Sequence, residues 1–119
     1  MGLRACSIKK YVVEFGDTSG FNYNPDTLAN IFNRFCSDVY TGEDYANVDV
    51  YWEINKEEFA DMIRTIEAMS DDEYKEFIEE CWESYNEDEP YTKERLLKIF
   101  KGYFNDTPEN SNYVRLGWV

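Results

Sequence analysis

The chain of 119 residues contains no histidine. This absence removes the commonest general base, the commonest metal ligand and the Ser-His and Cys-His nucleophile pairs. The three cysteines, Cys6, Cys36 and Cys81, are odd in number, widely separated and in no CxxC pair. This spacing argues against a disulfide framework or a zinc site. We therefore expect a protein that is not an enzyme and that binds no cofactor and no metal.

Long apolar runs are also missing. The sequence has no stretch of 18 apolar residues, and residues 1–10 lack the continuous apolar segment of a secretory signal. The cysteines are expected to be reduced, mostly buried thiols. These features predict a soluble cytoplasmic protein that does not associate with membranes.

Positive charge is scarce, with 12 Lys and Arg residues against 25 Asp and Glu residues and a net charge of −13. Nucleic acid and anionic membrane would be repelled, so the expected partner is a basic protein surface. Hydrophobic residues make up 43% of the chain and aromatic residues 18%, which is enough for a substantial core. The length suits a single domain over residues 1–119.

The hydropathy pattern predicts three strands and about four helices. Strands are expected over residues 6–15, 48–54 and 112–119, and the second shows strict apolar and polar alternation. The first helix is expected to start at Asn24-Pro25 and to run to about Val39, and later helices to follow Asn55, Ser70 and Thr92. The order β-α-β-α-α-α-β predicts an α+β fold with a small, mostly antiparallel three-stranded sheet packed against these helices. The strand order stays open.

The third helix has the clearest sequence signals. Ser70 and Glu73 are spaced as a capping box at its start. An apolar stripe at helical spacing follows, and we interpret it as core packing: Tyr74, Phe77, Ile78, Cys81, Trp82 and Tyr85.

The negative charge is concentrated in an acidic helical region over residues 53–89, which holds 15 acidic and three basic residues. Residues 71–83 alone carry seven carboxylates and one lysine over roughly 20 Å, at about 1.5 Å per helical residue. That density is close to the spacing of about 3.4 Å per charge along a nucleic-acid strand. Like charges three or four residues apart destabilise a helix, so their retention indicates a cationic partner. The alternative, of equal weight, is an acidic face that only keeps the protein soluble.

The leading hypothesis is a non-enzymatic inhibitor or nucleic-acid mimic. In size and charge placement the chain resembles small acidic DNA mimics, including phage anti-restriction and anti-CRISPR proteins, and immunity proteins that neutralise nuclease toxins. The resemblance implies binding to the basic channel of a nuclease or another nucleic-acid-binding protein. The predicted contact row is Asp72, Glu76, Glu79, Glu80 and Glu83, flanked by Glu57, Glu58 and Asp61.

A second hypothesis is an acidic adaptor or assembly module, compatible with a homodimer, in which exposed aromatic residues supply the binding energy. Its candidates are Tyr23, Tyr40, Tyr45, Tyr51, Tyr91, Tyr113 and Trp118. The fourth helix is basic, and we expect it to neutralise part of the acidic region within the molecule rather than to form a separate anion site. Its cations are Lys93, Arg95, Lys98 and Lys101.

Overall fold

The computed structural model describes residues 5–10, 14–18, 21, 25–37, 39–45, 48–83 and 89–118. Within these ranges the chain forms five strands and four helices. In chain order they are β1 (Ala5–Lys10), β2 (Glu14–Thr18), α1 (Pro25–Phe35), β3 (Val39–Tyr45), β4 (Val48–Asn55), α2 (Lys56–Ala68), α3 (Asp71–Cys81), α4 (Lys93–Asp106) and β5 (Tyr113–Trp118). The predicted α+β class with four helices is confirmed for the described residues.

The predicted three-stranded sheet and the order β-α-β-α-α-α-β are wrong. The described strands form one five-stranded sheet in the order β2-β1-β5-β4-β3, and each neighbouring pair is antiparallel. β5, the last strand in the chain, lies at the centre and pairs with β1 on one side and β4 on the other. The closing strand therefore joins an N-terminal strand pair to the β3–β4 pair.

Two features of the sequence explain why β2 and β3 were missing from the prediction. The β-branched and aromatic residues of 6–15 predict one strand, but this segment contributes to both β1 and β2, whose pairing has an irregular register. The first helix ends at Phe35 instead of Val39, and Val39 is the first residue of β3, which continues through Gly42 to Tyr45. Gly42 and the neighbouring acids have low strand propensity. Backbone pairing with the strongly alternating β4 overrides that preference.

The starts of α2, α3 and α4 agree with the sequence prediction. The side chain of Asn55 accepts a hydrogen bond from the third helical amide at 3.0 Å, and that of Thr92 does the same at 3.2 Å. Ser70 and Glu73 form the predicted capping box, with hydrogen bonds of 3.2 and 3.0 Å. These bonds satisfy amide groups that have no partner inside the helix. Hydrogen bonding to Ser70, mainly to its backbone amide and to a smaller extent to its hydroxyl, lowers the pKa of Glu73.

The hydrophobic core lies between the helices and one face of the sheet. Its centre is an aromatic cluster of Phe32 from α1, Phe59 from α2 and Phe100 from α4, all completely buried. The three ring centroids lie 5.7 to 5.8 Å apart. Trp52 and Ile54 of β4 and Val114 and Leu116 of β5 form the buried face of the sheet. Because one cluster joins three helices, their relative positions depend on it.

We predict that Phe32→Ala lowers the free energy of unfolding by about 3–5 kcal/mol, because it leaves a cavity at the contact of three helices. Urea denaturation at constant pH measures the change. The control is Asn33→Ala, since the neighbouring Asn33 side chain is exposed. Equal losses in the two variants would contradict this description of the core.

Candidate partner-binding surface

The exposed side of α3 is strongly acidic. The helix carries six acidic residues and one lysine. Asp72, Glu76, Glu79 and Glu80 are all exposed and lie within an arc of about 100°, because each helical residue advances about 100°. We call these four residues the acidic row. The buried side chains of α3, which are Tyr74, Phe77, Ile78 and Cys81, lie on the opposite side of the helix. Core packing of that stripe therefore directs the acidic row outward.

Glu83 does not belong to this row. The predicted helix ends earlier, at Cys81, and Trp82 is extended, with ψ 126°. The Trp82 ring packs 4.7 Å from that of Tyr91 and 6.4 Å from that of Phe21. The aromatic contacts thus take Trp82 out of the helical stripe in which the sequence placed it, and Tyr85 lies outside the described residues. The helical acidic segment is therefore about 16 Å long rather than roughly 20 Å.

Polar side chains of α1 hold the C-terminal end of α3. Asn30 donates a hydrogen bond to the Cys81 carbonyl oxygen at 3.0 Å, and the Glu83 amide donates to the buried Thr27 hydroxyl at 2.8 Å. Arg34 forms an ion pair with Glu80. The hydrogen bond that the Arg34 guanidinium donates to the Glu80 carboxylate raises the pKa of Arg34. Because α3 has no basic residue in its own last turn, α1 supplies the positive charge and the donors that this helix end requires.

The α2 residues predicted to flank the row have different roles. Both carboxylate oxygens of Glu58 accept hydrogen bonds from Ser37, from the amide at 2.7 Å and from the hydroxyl at 2.6 Å. Asp61 pairs with Arg64 one turn further along α2. Glu57 is exposed and forms no ion pair with a described residue. Glu58 therefore anchors the residues that follow α1, a contact that sequence analysis missed because Ser37 is 21 residues away.

The eight predicted contact residues thus fall into two groups. Four of them make contacts within the molecule: Glu58, Asp61, Glu80 and Glu83. The carboxylates of Glu57, Asp72, Glu76 and Glu79 have no ion-pair or hydrogen-bonding partner among the described residues, although Glu76 lies near enough to Arg34 to raise the pKa of that guanidinium. Three of these four belong to the acidic row. The negative charges of these three residues are therefore not neutralised by an ion pair with any described residue.

The basic residues of α4 are partly used within the molecule, as the sequence predicted. Lys101 pairs with Glu67 of α2 at 3.1 Å. Lys93 donates to the Met69 carbonyl oxygen at 2.6 Å, and the Arg95 guanidinium lies 4.0 Å from the centroid of the Tyr91 ring. Lys98 is exposed and makes no ion pair with a described residue. One α4 cation therefore neutralises an α2 carboxylate, but none pairs with the acidic row.

The described residues give limited support to an aromatic surface. Tyr113 is exposed over 45% of its area, whereas Tyr51 and Tyr91 are partly buried. Tyr23 and the side chains of Tyr40, Tyr45 and Trp118 lie outside the described part of the chain. Within that part, Tyr113 is the single large hydrophobic residue that is exposed.

The two described cysteine thiols are free and buried. Burial and, to a smaller extent, the nearby Glu58 carboxylate raise the pKa of Cys36 to about 11. Burial also raises the pKa of Cys81. Both thiols are therefore protonated at neutral pH, and they act as small core residues rather than as nucleophiles.

Comparisons with known proteins find no match, since no family model, curated protein or solved structure is significantly similar to the chain. Among the described residues no cluster of three or more Cys, Asp or Glu side chains is arranged to hold a metal ion. No described helix combines the length and apolar character needed to cross a bilayer. The acidic row is the surface feature on which the functional proposal below is based.

We predict that Arg34 and Glu80 are energetically coupled, because their ion pair joins α1 to α3. A double-mutant cycle with Arg34→Met and Glu80→Gln should give a coupling energy of about 0.2–1 kcal/mol at low salt, the range for exposed pairs. In 1 M NaCl the coupling should decrease. Arg34→Met combined with Glu57→Gln is the control and should be additive. Additive effects in both cycles would contradict the assigned pairing.

Proposed function

We propose that this chain is a non-enzymatic acidic inhibitor that mimics nucleic acid and binds the basic channel of a nuclease or another nucleic-acid-binding protein. It would act in the cytoplasm in the manner of anti-CRISPR, anti-restriction or immunity proteins. The observation that carries the proposal is the acidic row on α3, which lies opposite the buried stripe of its own helix. Three of its four carboxylates have no ion pair among the described residues, so a basic partner can neutralise them.

We assign the central contact to Asp72, Glu76 and Glu79. These residues are exposed, lie on one side of one helix and make no ion pair with the described residues. Glu57 on α2 is a further contact candidate for the same reason. Glu58, Asp61, Glu80 and Glu83 are assigned to the fold, because their carboxylates contact side chains or backbone within the molecule.

The energetics of the row favour a cationic partner. Asp72 and Glu76 are four residues apart and Glu76 and Glu79 three apart, so each pair opposes helix formation by a few tenths of a kcal/mol. A basic channel would remove this repulsion and would give fast, electrostatically steered association. The complex should therefore weaken steeply as salt concentration rises.

A nuclease-treated pull-down at low and high salt tests the proposal. We predict that the native chain captures a basic nucleic-acid enzyme and inhibits its purified form, whereas Glu76→Gln/Glu79→Gln does neither. Asp72 is left unchanged because its charge stabilises the N-terminus of α3. The control is Glu94→Gln/Glu109→Gln, which removes two exposed charges outside the acidic row. Equal capture by the native chain and the row variant would refute the proposal.

The exposed Tyr113 supports a second candidate function, an acidic protein-protein adaptor that binds through aromatic residues. Such binding depends on apolar contact and should persist at high salt. Tyr113→Ser included in the same pull-down separates the two candidates. Capture that survives high salt and the row substitutions but is lost with Tyr113→Ser would favour the adaptor.

A further inference from the structure

A groove with a volume of about 390 Å³ lies between α3 and the residues that precede α4. Its apolar lining consists of Tyr74 and Ile78 from α3 and Pro90 and Tyr91 from the other side. The volume is at the small end of the range for ligand sites, roughly 300–1,000 Å³. It suits a single long side chain better than a nucleotide or a cofactor.

Tyr91 is held in place from several directions. The Tyr74 hydroxyl donates to the Tyr91 carbonyl oxygen at 2.6 Å, and the Phe21 amide donates to the Tyr91 hydroxyl at 2.8 Å. Burial raises the pKa of Tyr74, so its hydroxyl keeps the proton that it donates. The Arg95 guanidinium packs over the Tyr91 ring. One wall of the groove is therefore fixed before any ligand arrives, which lowers the entropic cost of binding.

The charged lining of the groove consists of Glu79, Glu89 and Lys75. Glu79 and Glu89 are exposed, and neither carboxylate forms an ion pair or a hydrogen bond with a described residue. Lys75 lies one helical turn before Glu79 but does not pair with it. Two carboxylates and one ammonium give the lining a net negative charge, and this favours a cationic occupant.

An arginine side chain fits this combination better than a lysine. The guanidinium is planar and weakly hydrated, and it forms paired hydrogen bonds with carboxylates. The arginine stem covers apolar surface while its charged end reaches polar groups. A lysine ammonium is compact and strongly hydrated, so it would lose more hydration in a groove with an apolar lining.

We propose that this groove binds an arginine side chain of a basic partner protein, with Glu79 and Glu89 as the acceptors of the guanidinium. This inference rests on the proposed function and deepens it, because it names the residue type by which the partner contacts the end of the acidic row. Glu89, Pro90 and Tyr91 would then contribute to recognition although they lie outside α3. Lys75 would oppose the ligand.

Titration followed by amide NMR tests the groove with a defined probe, an end-capped peptide of three arginines separated by glycines. The expected result is a shift of the Tyr74, Ile78 and Tyr91 amides, which a matched peptide with neutral citrulline does not cause. Glu79→Gln/Glu89→Gln should weaken the affinity about tenfold, because it removes charge from both acceptors. Lys75→Gln should strengthen it. The control, Glu67→Gln/Glu109→Gln, makes the same charge change at two exposed residues outside the groove and outside the assigned contact residues, and it should alter the affinity less than about twofold.

Two results would overturn the groove as an arginine site: equal weakening by the two double variants, or equal shifts with a lysine peptide. Either result would mean that the peptide is attracted only by the overall negative charge of the protein. The proposed function would not be contradicted by that result. Failure of the proposed function would also be recognisable, because the groove could bind the arginine peptide even if the acidic row captured no enzyme in the pull-down. All substituted glutamates are exposed, and the dispersion of each variant's NMR spectrum checks that it folds.

Discussion

The position of α1 is the constraint on which the acidic surface depends. Phe32 fixes the buried side of α1 in the aromatic cluster of the core. The polar side of the same helix reaches α3 through Thr27, Asn30 and Arg34. One short helix therefore connects the hydrophobic core to the end of the most acidic helix. Without these contacts the C-terminal turn of α3 would have unsatisfied carbonyl groups and no nearby positive charge.

The cations of the molecule are distributed unevenly over its carboxylates. Glu80 pairs with an α1 arginine, Glu67 with an α4 lysine, and the partly buried Glu53 with Arg115 across β4 and β5 at 2.7 Å. Each of these pairs joins two elements of the fold. The outer turns of α3 receive no such partner among the described residues. The excess negative charge of the sequence is thus concentrated on the exposed side of α3. Glu79 belongs both to the acidic row and to the lining of the neighbouring groove.

The sequence predicted what depends on local patterns and missed what depends on distant contacts. The caps at Asn55, Ser70 and Thr92 and the buried stripe of α3 from Tyr74 to Cys81 could be predicted from the sequence, because three- and four-residue spacings determine them. The exposed side of α3 followed from the same periodicity. The central position of β5 could not be predicted, because strand order has no local signature. The contact of Glu58 with Ser37 could not be predicted either, because the two residues are 21 positions apart and no local pattern connects them.

The stability of Glu76→Gln as a function of ionic strength tests most directly whether the acidic row serves a partner rather than the fold. Glu76 lies three or four residues from Asp72, Glu73, Glu79 and Glu80, and the repulsion from these four carboxylates outweighs the weaker attraction to Arg34, so the charge of Glu76 should oppose folding. We predict that Glu76→Gln raises the free energy of unfolding by a few tenths of a kcal/mol at low salt, and that 1 M NaCl removes the difference by screening. Glu80→Gln, which breaks the ion pair with Arg34, should instead lower it. A loss of stability in Glu76→Gln at low salt would contradict the claim, because the carboxylate would then be stabilising the folded chain.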